Sequence, residues 1–141
     1  MVNIIDKCDT VRIGLNNGEI PYIVPLSFGY EVIDNTIVLY IHGSKKGKKA
    51  DLIKDLKRCF VELDICNGFT KTPMGTVTCE FESIMSSGKL EKLKGEDSVH
   101  ALKLLLDHCG YKNFEFNISV VEMINVHKIT LEDVAAKRRK I

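Results

Sequence analysis

Along the first half of the chain, apolar positions recur at every second residue. In residues 10–15, Val11, Ile13 and Leu15 alternate with Arg12 and Gly14, the period of a strand with one face buried. Asn16-Asn17-Gly18 follows. Asn-Gly tolerates positive φ and predicts a hairpin turn. Residues 21–28 are the return strand. There Pro21 and Pro25 remove two backbone donors, so this strand is expected at an edge, at a bulge or beside a ligand. Residues 36–42 (Thr-Ile-Val-Leu-Tyr-Ile-His) are rich in β-branched and aromatic side chains and predict a third strand. Residues 58–64 alternate again, with Cys59, Val61 and Leu63 on one face. Residues 65–73 read as a loop. Residues 77–85 and 88–93 predict a strand pair broken at Ser86-Ser87-Gly88.

The period changes in three places. Ala50, Ile53 and Leu56 share one helical face, with Leu52 beside them, which predicts a short helix. Over residues 98–109, Val99, Leu102, Leu105, Leu106 and Cys109 fall at helical spacing, and Gly110 is placed to cap the C-terminus. Residues 118–129 read as a long final strand. Thr130-Leu131-Glu132-Asp133 resembles a capping box and predicts a short terminal helix ending in Lys137-Arg138-Arg139-Lys140. Short strands joined by turns, with one helix inserted early and one late, make a mainly β fold with added helices. Antiparallel barrel closure is the expected architecture.

Length and composition leave room for one domain over residues 1–141. The chain is 45% apolar and 28% charged, which excludes a disordered chain. No apolar run approaches the ~20 residues of a membrane span. Residues 1–6 show no basic or apolar leader, so a cytoplasmic location is expected. Twenty basic against nineteen acidic side chains argue against a broad nucleic-acid surface. The five cysteines form no Cys-x-x-Cys and fit no zinc spacing. They read as reduced thiols, most of them small core residues.

The segment from Tyr40 to Lys49 leaves a strand, crosses a glycine-bearing basic loop and enters a helix. Phosphate is the natural occupant of such a place, although no Walker A spacing is present. Charge alone favours the plainer reading, a solvated lysine loop. His42 closes an apolar strand beside Gly43. It could hydrogen-bond a ligand, exchange a proton near neutral pH, or end the strand. His100, His108 and His127 make no pair on one face, so no metal site is expected. Ser86-Ser87-Gly88 is no nucleophile elbow. Glu80 and Glu82 alternate around Phe81 and read as a solvated face or dimer rim, and the basic tail reads as a solubilising helix end.

Several segments together resemble a known family. They are Arg12-Ile13-Gly14-Leu15, the run from Pro21 to Glu31 (Pro-Tyr-Ile-Val-Pro-Leu-Ser-Phe-Gly-Tyr-Glu), Leu39-Tyr40-Ile41-His42-Gly43, and Gly47-Lys48-Lys49-Ala50-Asp51-Leu52. Phe60-Val61-Glu62, Phe81-Glu82-Ser83-Ile84 and Lys137-Arg138-Arg139 extend the likeness over nearly the whole chain. The set is similar to the FMN-binding split-barrel proteins related to pyridoxamine 5'-phosphate oxidase, in the branch of the nitroimidazole-resistance proteins. The resemblance implies a six-stranded antiparallel split β-barrel and a homodimer with FMN sites at its interface.

It also implies the site residues. The backbone of Val24, Pro25, Leu26 and Ser27 would run beside the flavin ring and ribityl chain. Tyr40, Ile41 and His42 would lie along the flavin. Lys48 would be the phosphate lysine, with Lys49 beside it. Ser83 would reach the cofactor from the second subunit, and His42 would position the acceptor or donate a proton. The expected function is an FMN-dependent oxidoreductase passing electrons to a small oxidised acceptor, as a nitroimidazole reductase does. The alternative is a non-catalytic flavin or haem binding, storage or sensing module on the same barrel.

The chain departs from the family at five points. An arginine that helps grip phosphate in the oxidase branch is replaced near Gly47, and the glycine-rich strand expected around residues 84–88 reads Ile-Met-Ser-Ser-Gly. Only residues 1–8 precede the first strand, which would leave that side of the barrel open. Tyr22 stands where the oxidase branch has an arginine. That branch's C-terminal substrate motif is missing, which argues against pyridoxamine phosphate oxidation itself.

Overall fold

In the computed structural model, which describes residues 1–141, a one-turn helix, α1 (Val2–Ile5), leads into the hairpin of β1 (Val11–Leu15) and β2 (Tyr22–Leu26). The hairpin turns where Asn-Gly stands, with Gly18 at φ 72°. A second hairpin joins β3 (Gly29–Ile33) to β4 (Thr36–Ser44). Its two turn residues, Asp34 and Asn35, have φ of 49° and 63°, as a two-residue turn matching strand twist requires. Then come α2 (Lys48–Ile53), the long hairpin of β5 (Arg58–Lys71) and β6 (Val77–Lys92), α3 (Gly95–His108), a 3-10 turn (Ile118–Met123), β7 (Ile124–Leu131) and β8 (Ala135–Arg139).

All neighbours are antiparallel, in the order β2-β1-β5-β6-β7-β4-β3. The end strands β2 and β3 are consecutive in the chain but do not pair, so the barrel is split between them. β8 pairs with residues 81–85 of β6, directly beyond the stretch that β7 covers. The expected split barrel is therefore present, with eight strands rather than six.

The barrel holds an 18-residue apolar core that includes Val11, Ile13, Leu15, Ile41, Val61 and Ile129. These are the alternating positions of the sequence. A smaller core lies outside the barrel wall, where α3 covers Val38, Tyr40 and Val126 with Ala101 and Leu102. The approach is close. A Cβ on Gly29 would collide with the α3 backbone at Leu104 and Leu105.

Several local expectations are corrected. Residues 65–71 continue β5, and no break occurs at Ser86-Ser87-Gly88, because β5 and β6 hold each other in register across one irregularity between Cys66 and Gly68. The first residues of the presumed last strand are the 3-10 turn. The terminal helix is instead β8, since the open edge of β6 satisfies its backbone. The barrel end is not open, because α1 plugs it with Ile4 and Ile5. Glu82 is not solvated. It is 1% exposed, with Oε2 accepting from Lys7 Nζ at 2.9 Å and Oε1 2.5 Å from Arg138 Nε. Of the cysteines, only Cys8 and Cys59 are buried.

Candidate functional site

The strand β3 begins at Gly29, opposite Tyr40, so β4 runs on past that point with β7 as its remaining partner. Here the chain brings together the end of β4, the basic loop and α2. Ile41 points into the barrel, 1% exposed. Tyr40 points the other way, buried under α3, and its hydroxyl donates to Glu31 Oε1 at 2.5 Å. His100 Nε2 meets the same carboxylate at 3.0 Å. Burial pulls the Glu31 carboxyl up, but these two bonds outweigh it and hold it below the usual range. His42 shares the outer face with Tyr40, beyond the cover of α3, and is exposed.

The lysines of the loop divide. Lys48, the first residue of α2, is exposed and makes no ion pair. Lys49 is half-buried. It lies across Gly43, where a Cβ would strike its ammonium, and Nζ donates to the His42 carbonyl at 3.2 Å. Gly43 thus matters as space for a lysine.

Asn125 and His127 share a small cavity with Lys49, and Lys92 stands beside His127; none of the three was among the expected site residues. Asn125 and His127 of β7 pair with Gly43 and Ile41, and Lys92 of β6 pairs with His127. His127 is 5% exposed. Its pKa is pushed down to about 4 by burial and by the Lys92 and Lys49 ammoniums. Asn125 Oδ1 is buried with no partner. A cavity of about 10 Å³ separates His127, Asn125 and Lys49. His42, although exposed overall, is likewise pushed down, by partial desolvation of its ring and then by Lys49, and burial lowers Lys49 itself. No carboxylate forms an ion pair with Lys48, Lys49 or Lys92. The result is a cationic, partly desolvated corner in which neutral histidines face unneutralised ammoniums. An anion supplies what such a corner lacks. The clue in the sequence was parity: Asn125 and His127 stand on the face of β7 that carries Ile129 and Leu131.

Asn125 also lines a larger cavity, about 810 Å³, between β7, the 3-10 turn and the start of α3. Lys45, Lys92, Lys94, Lys103 and His100 rim it, and Ile124, which pairs with Ser44, is among its apolar walls. His42 is two residues from Ser44 on that same strand face.

The other predicted residues lie elsewhere. In β2, Val24 and Leu26 pack on the barrel core, while Pro25 and Ser27 are exposed. β2 is the edge strand, with β1 as its one partner, so part of its backbone is free to meet a ligand. Ser83, half-buried, stands opposite Asp64 and Lys137. It is about 30 Å along β6 from Lys92 at the usual strand rise.

Comparison with known proteins places this architecture. A sequence model for pyridoxamine 5'-phosphate oxidase matches residues 1–138. No curated protein sequence matches the chain. Among solved structures, a Bacteroides thetaiotaomicron protein assigned to 5-nitroimidazole antibiotic resistance is 25% identical. The match covers 96% of this chain and 80% of that one, with a TM-score of 0.83. An FAD-binding protein from Mesorhizobium loti is 19% identical over 99% of this chain and 92% of its own, at TM-score 0.69. An FAD and haem binding protein from Mycobacterium smegmatis is 15% identical, over 97% of this chain and 68% of its own, at TM-score 0.81. With the family model matching residues 1–138 and the split barrel present, this chain belongs to the pyridoxamine 5'-phosphate oxidase family.

Proposed function

We propose that the protein is an FMN-binding homodimeric flavoprotein that passes electrons from reduced flavin to a small oxidised acceptor. The observation that carries this reading is the set of lysine ammoniums, Lys48, Lys49 and Lys92, that no carboxylate neutralises around the end of β4. Burial lowers Lys49, and burial together with Lys92 and Lys49 depresses His127. These groups fit a phosphate monoester. Lys49 and Lys48 would hold the phosphate, and the free backbone of β2 at Val24, Pro25, Leu26 and Ser27 would flank the ring. When bound, the flavin supplies the redox chemistry.

The residues of the chain would bind, orient and supply a proton. Desolvation first and then the unneutralised Lys49 ammonium hold His42 below the usual imidazole range. An anion on Lys49 removes part of the charge that depresses His42 and restores its capacity to carry a proton. The acceptor would then stand on the His42 face, toward the 810 Å³ cavity, a volume in the range of small-molecule pockets. Ser83 is too far along β6 to share this corner within one subunit, so in this reading it would act from the partner. The nitroimidazole-resistance relative at 25% identity supports the choice of acceptor class.

The test is an FMN titration of purified protein and of Lys48→Ala with Lys49→Ala, read by flavin fluorescence, with the oligomeric state measured in parallel. Saturable binding that weakens by roughly 100-fold or more in the double variant is expected, since charged hydrogen bonds are each worth about 1.5–3 kcal/mol. Well-folded protein that takes up no flavin would end this reading. The flavin and haem binding relatives favour a second, non-catalytic reading. Bound flavin that transfers no electrons to any acceptor tried would select it.

A further inference from the structure

We propose that Cys66 and Cys79 are a reversible dithiol–disulfide pair that cross-links the outer arm of the β5–β6 hairpin. The two sulfurs are 3.2 Å apart, about 1.1 Å more than a covalent S–S bond. They meet at the one place where the hairpin register shifts, between Cys66 and Gly68. The extra residue there brings Cys66 beside Cys79, although its register partner is Phe81.

Access differs sharply among the thiols. Cys66 is exposed and Cys79 half-exposed, whereas Cys8 and Cys59 are buried. Burial pushes the Cys8 and Cys59 thiols up to about 11 and about 12, so neither is a ready nucleophile. Cys109 is exposed, but its sulfur meets no other cysteine.

The arm that the pair would tie is otherwise weakly held. β1 covers β5 only at residues 60–62, and β8 covers β6 only at 81–85. From Cys66 to Cys79 the arm is two strands alone, with Phe69, Met74 and Val77 exposed. A two-stranded ribbon is marginal by itself, so a cross-link at its base changes its order more than it would change a barrel strand.

The oxidant is a peroxide. The Cys66 sulfur attacks one peroxide oxygen, the O–O bond breaks, and Cys66 becomes a sulfenic acid with release of one water. The Cys79 sulfur then attacks the Cys66 sulfur, the S–O bond breaks, and a second water leaves with the Cys79 proton. Two thiols lose two electrons and two protons, and hydrogen peroxide is reduced to two waters.

The test uses full-length protein carrying Cys109→Ser, so that the solitary exposed thiol does not contribute. It is treated with a small excess of hydrogen peroxide, then alkylated under denaturing, non-reducing conditions. The alkylatable thiols are expected to fall from four to two, and to return with dithiothreitol. Trypsin cuts after Lys71, so the linked peptides 59–71 and 72–89 should appear. Their fragmentation must place the bond on Cys66 rather than on Cys59. With Cys79→Ser added, oxidation should stop at a dimedone-trappable sulfenic acid on Cys66. Proteolysis at Lys71 in the folded protein should slow on oxidation in the Cys109→Ser protein and not when Cys79→Ser is added. Four thiols after treatment, a disulfide between two chains, or irreversible Cys66 oxidation with Cys79 still free would each overturn the proposal.

Discussion

Lys49 lies across Gly43 and donates to the carbonyl of His42 at 3.2 Å, so the ammonium occupies the volume a β-carbon would need. Replacing Gly43 with alanine must displace Lys49 while leaving every charge in place. The expected outcome is weakened FMN binding, roughly tenfold, with little change in stability. Flavin titration beside a urea melt separates the two. Equal losses in both would mean that Gly43 serves packing alone.

His127 predicts a pH dependence. In the folded chain it titrates at about 4, against about 6.5 unfolded. Above pH 6.5 both states are neutral and the residue contributes no slope. Between 6.5 and 4 the unfolded chain binds the proton and the folded one does not, so stability falls as pH falls. The loss below pH 4 is about 3 kcal/mol. His127→Gln should flatten the stability curve in that window. Phosphate or FMN bound at the corner should raise the His127 pKa, a change visible by proton NMR of its ring.

Gly29 sits under the backbone of α3, with no room for a methyl group. Gly29→Ala should cost roughly 1–3 kcal/mol through overpacking. Chemical denaturation reads that cost directly. A neutral result would show that α3 can lift without penalty, and that Tyr40 and Val126 beneath it are loosely covered.

Glu82 joins Lys7, ahead of β1, to Arg138 in β8. These two cations, Lys7 first, hold its carboxyl below the usual range. The stability they confer is present above the unfolded carboxylate pKa and lost as pH falls through the folded one. Glu82→Gln should remove that acid-side loss and speed amide exchange over Ala135–Arg139. Unchanged protection there would show that backbone pairing alone holds β8.

Much of the barrel was legible because its signals were local. Asn17-Gly18 marked the first turn, Pro25 marked an edge strand, and Gly110 at φ 90° ends the α3 segment as expected. What misled was context. Thr130 through Lys140 has the composition of a capped basic helix, yet β6 offered an open edge and Glu82 a buried anion, and tertiary pairing overrode local preference. β3 was hidden because only Ser27 and Phe28 separate it from β2. At the site, the lysine pair could be read directly, but Asn125, His127 and Lys92 become meaningful only once β6, β7 and β4 are adjacent.

The bond from Lys7 to Glu82 spans 75 residues of sequence, and β8 must also arrive before that carboxylate has both its cations. On a ribosome, the longest strand of the sheet would therefore emerge with Lys7 already made, Arg138 still to come and one edge bare. The barrel path itself runs without β8, so the sheet can assemble first and the last strand then covers the bare edge and supplies the second cation.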